Sequence, residues 1–339
     1  MSQTISGTIN TRLRQLLLAA VLCCSQNLWA SSLTFALFGD VYMTPAHQGY
    51  LKGMLADMAA KGSDLAISTG GLKPADQNCK DTNLLAAYPV FAAAPLPTFY
   101  VPGDAEWLLC GKSANGNFTP EERLNLLRKT FYQSDRSLGQ PSLPLIRQAD
   151  YPEHMRWQSG PALFITLSSP NNISVDRKNI AATESVDTRT AAVETWIKDA
   201  FSEARKQDIT MLVMVMPHQV KFDTPEADGN TPPEKQLLAN LIRSETIAFQ
   251  GQVLMVHGGN GVHRIDHPLS NPDNPELPLQ NFTRVETYGA LQQGWVQVKI
   301  ERNKKSGDDP VHRTEFLFES YPWPPLDMKA DEEDPAASN

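Results

Sequence analysis

The chain has 339 residues, with 38 acidic against 30 basic side chains and a formal net charge of −8 at neutral pH. That balance opposes the long-range approach of phosphate backbones and anionic lipid surfaces, and so argues against nucleic acid or peripheral membrane binding. Beyond the first 30 residues no stretch is apolar over the roughly 20 residues that a bilayer span takes. The length suits one large domain or two small ones.

In chain order, Arg12 and Arg14 precede an apolar run from Leu16 to Cys24, and Asn27-Leu28-Trp29-Ala30 precedes Ser31. A basic start, a short apolar core and a small residue at the end form the pattern of a cleaved secretory signal peptide, residues 1–30. An uncleaved anchor is the alternative. Leu22 before Cys23, and Cys23 before Cys24, are not the small residue that a lipoprotein reading needs. Export is therefore expected, with no stable membrane insertion after cleavage. Cys79 and Cys110 would remain, and in an oxidising compartment they are expected to form a disulfide. Closing a loop of that length is worth roughly 3 kcal/mol in the chain-entropy model. Two buried thiols are the alternative.

The folded part opens with Leu33–Phe38, a short apolar run ending at Gly39-Asp40, as a buried strand does before a turn. Leu51, Met54, Leu55 and Met58 follow at the spacing of an amphipathic helix. Residues 64–68 predict a second strand ending at Gly70-Gly71, residues 82–94 a helical stretch, and 98–101 a third strand ending at Pro102-Gly103-Asp104. Continuous apolar strands alternating with helices mark a parallel sheet covered by helices. Thr119-Pro120-Glu121-Glu122 reads as a helix start with Thr119 as N-cap.

Residues 155–168 read as a hairpin turning at Gly160-Pro161. A helix carrying Val193, Trp196, Ile197 and Phe201 on one face is expected next, then a strand over 210–216 ending at Pro217-His218. Thr231-Pro232-Pro233-Glu234 repeats the helix-start signature, with Leu237, Leu238, Leu241 and Ile242 expected inward. Residues 252–256 predict a strand ending at His257-Gly258-Gly259. From Phe282 the pattern alternates, and 283–287, 295–300 and 314–318 are expected to be antiparallel strands. Residues 33–325 are expected to form one domain. Residues 326–339, acidic and without aromatic side chains, are expected to be disordered.

Ligands of open α/β sheets bind beyond the carboxyl ends of the strands. The polar residues in that position are Asp40, Tyr42, Asp104, Glu106, His218, His257 and His263. Asp, Glu and His gathered from several strand ends are what a metal-assisted hydrolase needs.

The strand ends also carry a resemblance. Gly39-Asp40-Val41-Tyr42, Thr69-Gly70-Gly71-Leu72-Lys73, Gly103-Asp104-Ala105-Glu106-Trp107-Leu108-Leu109-Cys110 and His257-Gly258-Gly259-Asn260-Gly261-Val262-His263-Arg264-Ile265-Asp266 stand in order. They resemble the blocks G-D-T-P-Y, V-G-D-I-K, G-D-N-E-W-x-D-C and H-G-D-T-H-Y-F-R-I-D of an exported bacterial branch of the calcineurin-like metallophosphoesterases. Asn281-Phe282-Thr283-Arg284-Val285-Glu286 is similar to that branch as well. The resemblance implies a four-layer α/β sandwich, with two central sheets flanked by helices, and phosphoester hydrolysis at a two-metal centre. It also places the exported protein in a periplasm or outside a bacterial cell.

The departures are chemically specific. The metal-bridging Asp of the second block is Gly71 here, the Asn of the third block is Ala105, and the Asp and His of the last are Gly259 and Gly261. Glycine and alanine offer no side-chain donor. Asp40, Asp104, His218 and His257 remain as candidate metal ligands, each with a structural alternative as a turn, loop or core residue. The expected function is thus a catalytically degenerate, exported relative that binds a small molecule or an envelope protein through the old cleft. No cofactor is expected at full occupancy, or at most one divalent ion (Zn, Mn or Fe). The alternative is an active metal-dependent hydrolase with an atypical or mononuclear site, built by Asp40, His218, His257 and His263 converging on one zinc.

Overall fold

The computed structural model describes residues 32–169, 186–220, 222, 233–258, 262–271, 273–302 and 314–325. The expected signal peptide, the expected disordered tail, Gly259 and Gly261, and the helix-start residues Thr231 and Pro232 lie outside the described residues.

The first half of the chain runs β1 (Leu33–Phe38), α1 (Gln48–Ala60), β2 (Leu65–Ser68), α2 (Asp81–Leu84), α3 (Tyr88–Ala92), β3 (Thr98–Tyr100) and α4 (Pro120–Phe131). Strands β4 (Ile146–Gln148), β5 (Tyr151–Ser159) and β6 (Ala162–Thr166) follow. The second half runs α5 (Val186–Lys206), β7 (Met211–Met216), α6 (Pro233–Ala248), β8 (Gln252–His257) and β9 (Arg264–Asp266). It closes with β10 (Ser270–Asn271), β11 (Asn274–Pro278), β12 (Phe282–Glu286), β13 (Gly294–Arg302) and β14 (Thr314–Pro322).

These strands build two mixed sheets, ordered β14-β13-β1-β2-β3 and β4-β5-β6-β7-β8-β12-β9, with β10 and β11 as a separate ribbon. β1, β2 and β3 are parallel, as are β6, β7, β8 and β12. Alternation along β7 decides the layers. Met211, Val213 and Val215 join the core between the sheets, whereas Leu212, Met214 and Met216 join a second core under α5 and α6. Across the inner core Phe35 of β1 meets Phe164 of β6 edge-on at 5.2 Å, and Phe99 of β3 stacks on Trp157 of β5 at 3.7 Å. Leu51, Met54, Leu55 and Met58 of α1 pack into the same cluster from the outer side of the first sheet. The result is the expected sandwich of two sheets flanked by helices.

Several expectations need correction. Residues 82–94 form two short helices, because Pro89 would clash with the carbonyl of residue 85 in a continuous one. Thr119 precedes α4 with extended backbone but makes no side-chain capping bond; Pro120 pre-sets the first turn, which also carries Glu121 and Glu122. Leu237 is 57% exposed. Leu238 and Ile242, one turn apart, define the buried stripe of α6, and Leu237 is rotated off it. β12 pairs antiparallel with β9 but parallel with β8, so the switch to alternation at Phe282 does not mark a wholly antiparallel region. Sequence periodicity also missed β4, β9 and the ribbon strands β10 and β11.

Candidate functional site

The turn after β1 places Asp40 in a left-handed conformation, φ 52°, held by its N–H donating to Gly70 O at 2.9 Å. Aspartate tolerates that region better than most side chains. The turn after β2 is left-handed twice, with φ 90° at Gly70 and 69° at Gly71. The two turns pack so closely that a Cβ on Gly71 would lie 2.0 Å from Asp40 Oδ1 and 2.8 Å from Asp40 Cα. The space of the bridging side chain implied by the resemblance is thus taken by the Asp40 turn itself.

Glu106 locks the turns after β2 and β3 together. It accepts from Leu72 N through Oε1 and from Gly103 N through Oε2 at 2.9 Å. Burial raises its pKa, opposed by the Leu72 hydrogen bond and by Lys73. Lys73 is itself buried and donates to Pro74 O at 2.7 Å. Burial lowers its pKa against the pull of Glu106 and Asp76. Tyr42, half-buried beside them, is raised by burial and then by Asp40, Asp76 and Glu106. The disulfide Cys79–Cys110 (Cα–Cα 5.6 Å) fastens the same two loops, and both sulfurs lie about 3.8–3.9 Å from the carbonyl of Ala105.

Asp104 and His218 come together. His218 Nε2 lies 3.2 Å from Asp104 Oδ1, joining the loop after β7 to the turn after β3. Ser168 Oγ donates to Pro102 O at 3.1 Å, adding a second link between the sheets. A third is the contact of Thr69 Oγ1 with Thr287 Oγ1 at 3.2 Å. Around Thr69 the backbone is close: a Cβ on Gly258 would lie 2.6 Å from its Oγ1. The mouth between the sheets is therefore stitched shut at this point by small side chains.

His257 and His263 point their chemistry elsewhere. His257 shares strand parity with Met255 and Val253, which face α5 and α6. Its Nδ1 lies 3.1 Å from Gly258 O, and its Nε2 is buried without a hydrogen-bond partner among the described residues. Burial lowers its pKa to about 4, with Arg284 and Arg264 adding to the effect, so the ring is neutral. His263 stacks on Tyr288 at 4.4 Å and bonds Glu286 O and Ser320 Oγ, each at 2.8 Å. Sequence reasoning missed Lys73, Thr69, Thr287 and Gln293 as parts of the mouth. Gln293 donates to Asp40 O at 3.1 Å from 253 positions away, a contact that no local pattern announces.

A two-metal centre does not fit these residues. The backbone at Gly71 is committed to contact with Asp40, and among the described residues no three His, Cys, Asp or Glu side chains are placed to hold a metal ion. The mouth carries Asp40, Asp76, Asp104 and Glu106 against the amine of Lys73, which disfavours an anionic ligand there. No described helix is long and apolar enough to cross a membrane.

No model of a known protein family matches the sequence, and no curated protein matches it. Solved structures do match the fold. A dimetal phosphatase from Danio rerio superposes with a TM-score of 0.49 at 10% identity, over 85% of this chain and 99% of that one. GAP50, the anchor in the inner membrane complex of Plasmodium, gives 0.48 at 11% identity, over 88% and 91%. A purple acid phosphatase from yellow lupin, Lupinus luteus, gives 0.46 at 11% identity, over 84% of this chain and 53% of that one.

Proposed function

We propose that this chain is an exported protein on a metallophosphoesterase framework that has lost its two-metal chemistry and serves as a binding or scaffolding module in the cell envelope. The observation that carries the reading is the contact of Asp40 with Gly71. A metal-bridging carboxylate at position 71 needs a Cβ, and the Asp40 turn occupies its place. Loss of the bridge removes a ligand from both ions at once, and with it the clamp on attacking and leaving oxygens. The ligand or partner we infer is neutral or basic where it meets the mouth, because acids outnumber the buried amine there. Residues 33–325 act as one unit in this reading, and the disulfide accords with an oxidising compartment.

The test is elemental analysis of the purified protein beside phosphomonoesterase and phosphodiesterase assays with added manganese, zinc or iron. The reading expects well under one equivalent of metal and no turnover. Near-stoichiometric metal with turnover that is lost in Asp40→Ala or His218→Ala would overturn it.

A further inference from the structure

Among the described residues the two large sheets have four edge strands, and three of these are three residues long: β3, β4 and β9. Short edges are one way in which proteins prevent unwanted pairing. The fourth, β14, runs for nine residues in unbroken register with β13, and among the described residues no strand pairs with its outer side. It is also pre-organised. Tyr321 stacks on Trp295 at 4.3 Å, Phe316 and Phe318 pack against the inner core, and Leu317 on the other face is 42% exposed.

We propose that β14 is the dimerisation edge of this protein and that its occupant is β14 of a second copy, paired antiparallel about a two-fold axis. The side chains favour one register. With Phe318 on the axis, Phe318 of one copy lies opposite Phe318 of the other, Leu317 opposite Glu319, Phe316 opposite Ser320 and Glu315 opposite Tyr321. Aromatic pairs across strands stabilise such a ladder, whereas directly opposed like charges destabilise it. A centre at Leu317 would set Glu315 against Glu319, and a centre at Phe316 would leave residues 319–322 without a partner in the strand, so the Phe318 centre alone pairs all nine residues with no carboxylates opposed. The joined sheets form a continuous sheet of ten strands, and the Phe316–Phe318 stripe runs across the junction. The interface goes beyond the proposed binding role and does not depend on it, because it lies on a sheet edge.

A contact of this size belongs with weak interfaces, below about 1,200 Å2, so the monomer should dominate in dilute solution and the dimer in concentrated solution. Sedimentation equilibrium of the purified protein is expected to show the mass doubling with concentration. Phe318→Asp, which opposes two carboxylates on the axis, should abolish the doubling. In case that variant fails to fold, Phe318→Cys in the otherwise native protein should form a disulfide-linked dimer on oxidation, and Leu317→Cys should not. A single monomer mass up to about 1 mM overturns the proposal, since the pairing would then be weaker than the weakest specific complexes. A dimer that survives Phe318→Asp, or that gives no Phe318→Cys link, also overturns it, because another surface would then hold the copies together.

Discussion

His218 Nε2 lies 3.2 Å from Asp104 Oδ1, and the two residues belong to loops of different sheets. Their side chains are 19% and 7% exposed, which places the pair between an open surface contact and a buried one. A polar contact of an imidazole nitrogen with a carboxylate in this setting contributes about 1 kcal/mol. A double-mutant cycle with His218→Ala and Asp104→Ala, read by urea denaturation, should give a coupling of about 1 kcal/mol. Additive losses would mean that this pair does not join the two sheets and that contacts such as those of Ser168 and Thr69 do.

Gly71 should resist repair. At φ 69° an L side chain costs about 1–2 kcal/mol, and the approach to Asp40 adds steric cost on top of that. Gly71→Ala is therefore expected to lose more than about 2 kcal/mol of stability. Gly71→Asp should lose at least as much and gain no midpoint shift on addition of manganese or zinc. Removing the Asp40 side chain should rescue Gly71→Ala only in part, since Asp40 Cα is itself 2.8 Å from the new Cβ. Denaturation curves of the single and double variants decide this. A neutral Gly71→Ala would show that the two turns move apart freely.

How much of this was readable beforehand differs between fold and site. Strands β1, β2, β7 and β8 announced themselves, because buried parallel strands are unbroken apolar runs. Asp40 does follow β1, and Asp104 and Glu106 follow β3, as the strand ends implied. The strand ends did not give the face: His257 follows Val256 at the same strand end, but one step of the pleat turns it to the helix side. Nor could the sequence reveal that the substitution at Gly71 is built into a left-handed backbone, since φ is not written in residue type. The long-range bond from Gln293 to Asp40 is of the same kind.

The disulfide should act on the mouth more than on the core. Cys79 and Cys110 are both buried, so the native protein is expected to resist reductant until denaturant is added. The bond spans 31 positions, and its loss should cost about 3–4 kcal/mol in the chain-entropy model. In a Cys79→Ser, Cys110→Ser variant, hydrogen exchange should quicken first at residues 72–79 and 104–110, the loops that Glu106 and the disulfide share. Uniform quickening across the sheets would instead mean that the bond stabilises the whole fold evenly.

Acid should unfold the protein in two stages with separate causes. Burial lowers His154 to about 4 from the usual 6.5, against the pull of Glu153. The unfolded chain therefore takes up that proton first, and the stability it represents is whole above pH 6.5 and lost as the pH falls toward 4. His257 has the same sign and window. For Glu153, burial alone would raise the carboxyl, but Arg189 and Arg128 overcome it and hold it at about 2. Its contribution is whole above the usual 4.5 and is lost as the pH falls through 2. Each group shifts stability on the order of 3 kcal/mol across its own window. Urea midpoints measured from pH 7.5 to 2 should fall first between 6.5 and 4 and then again below 4.5. His154→Gln should flatten the upper fall by about half, with His257 carrying the remainder. Glu153→Gln should remove the lower fall and cost about 3–5 kcal/mol at neutral pH, because it takes away the buried carboxylate that Arg189 and Arg128 share. A midpoint independent of pH down to 4 would show that both histidines reach water in the native state.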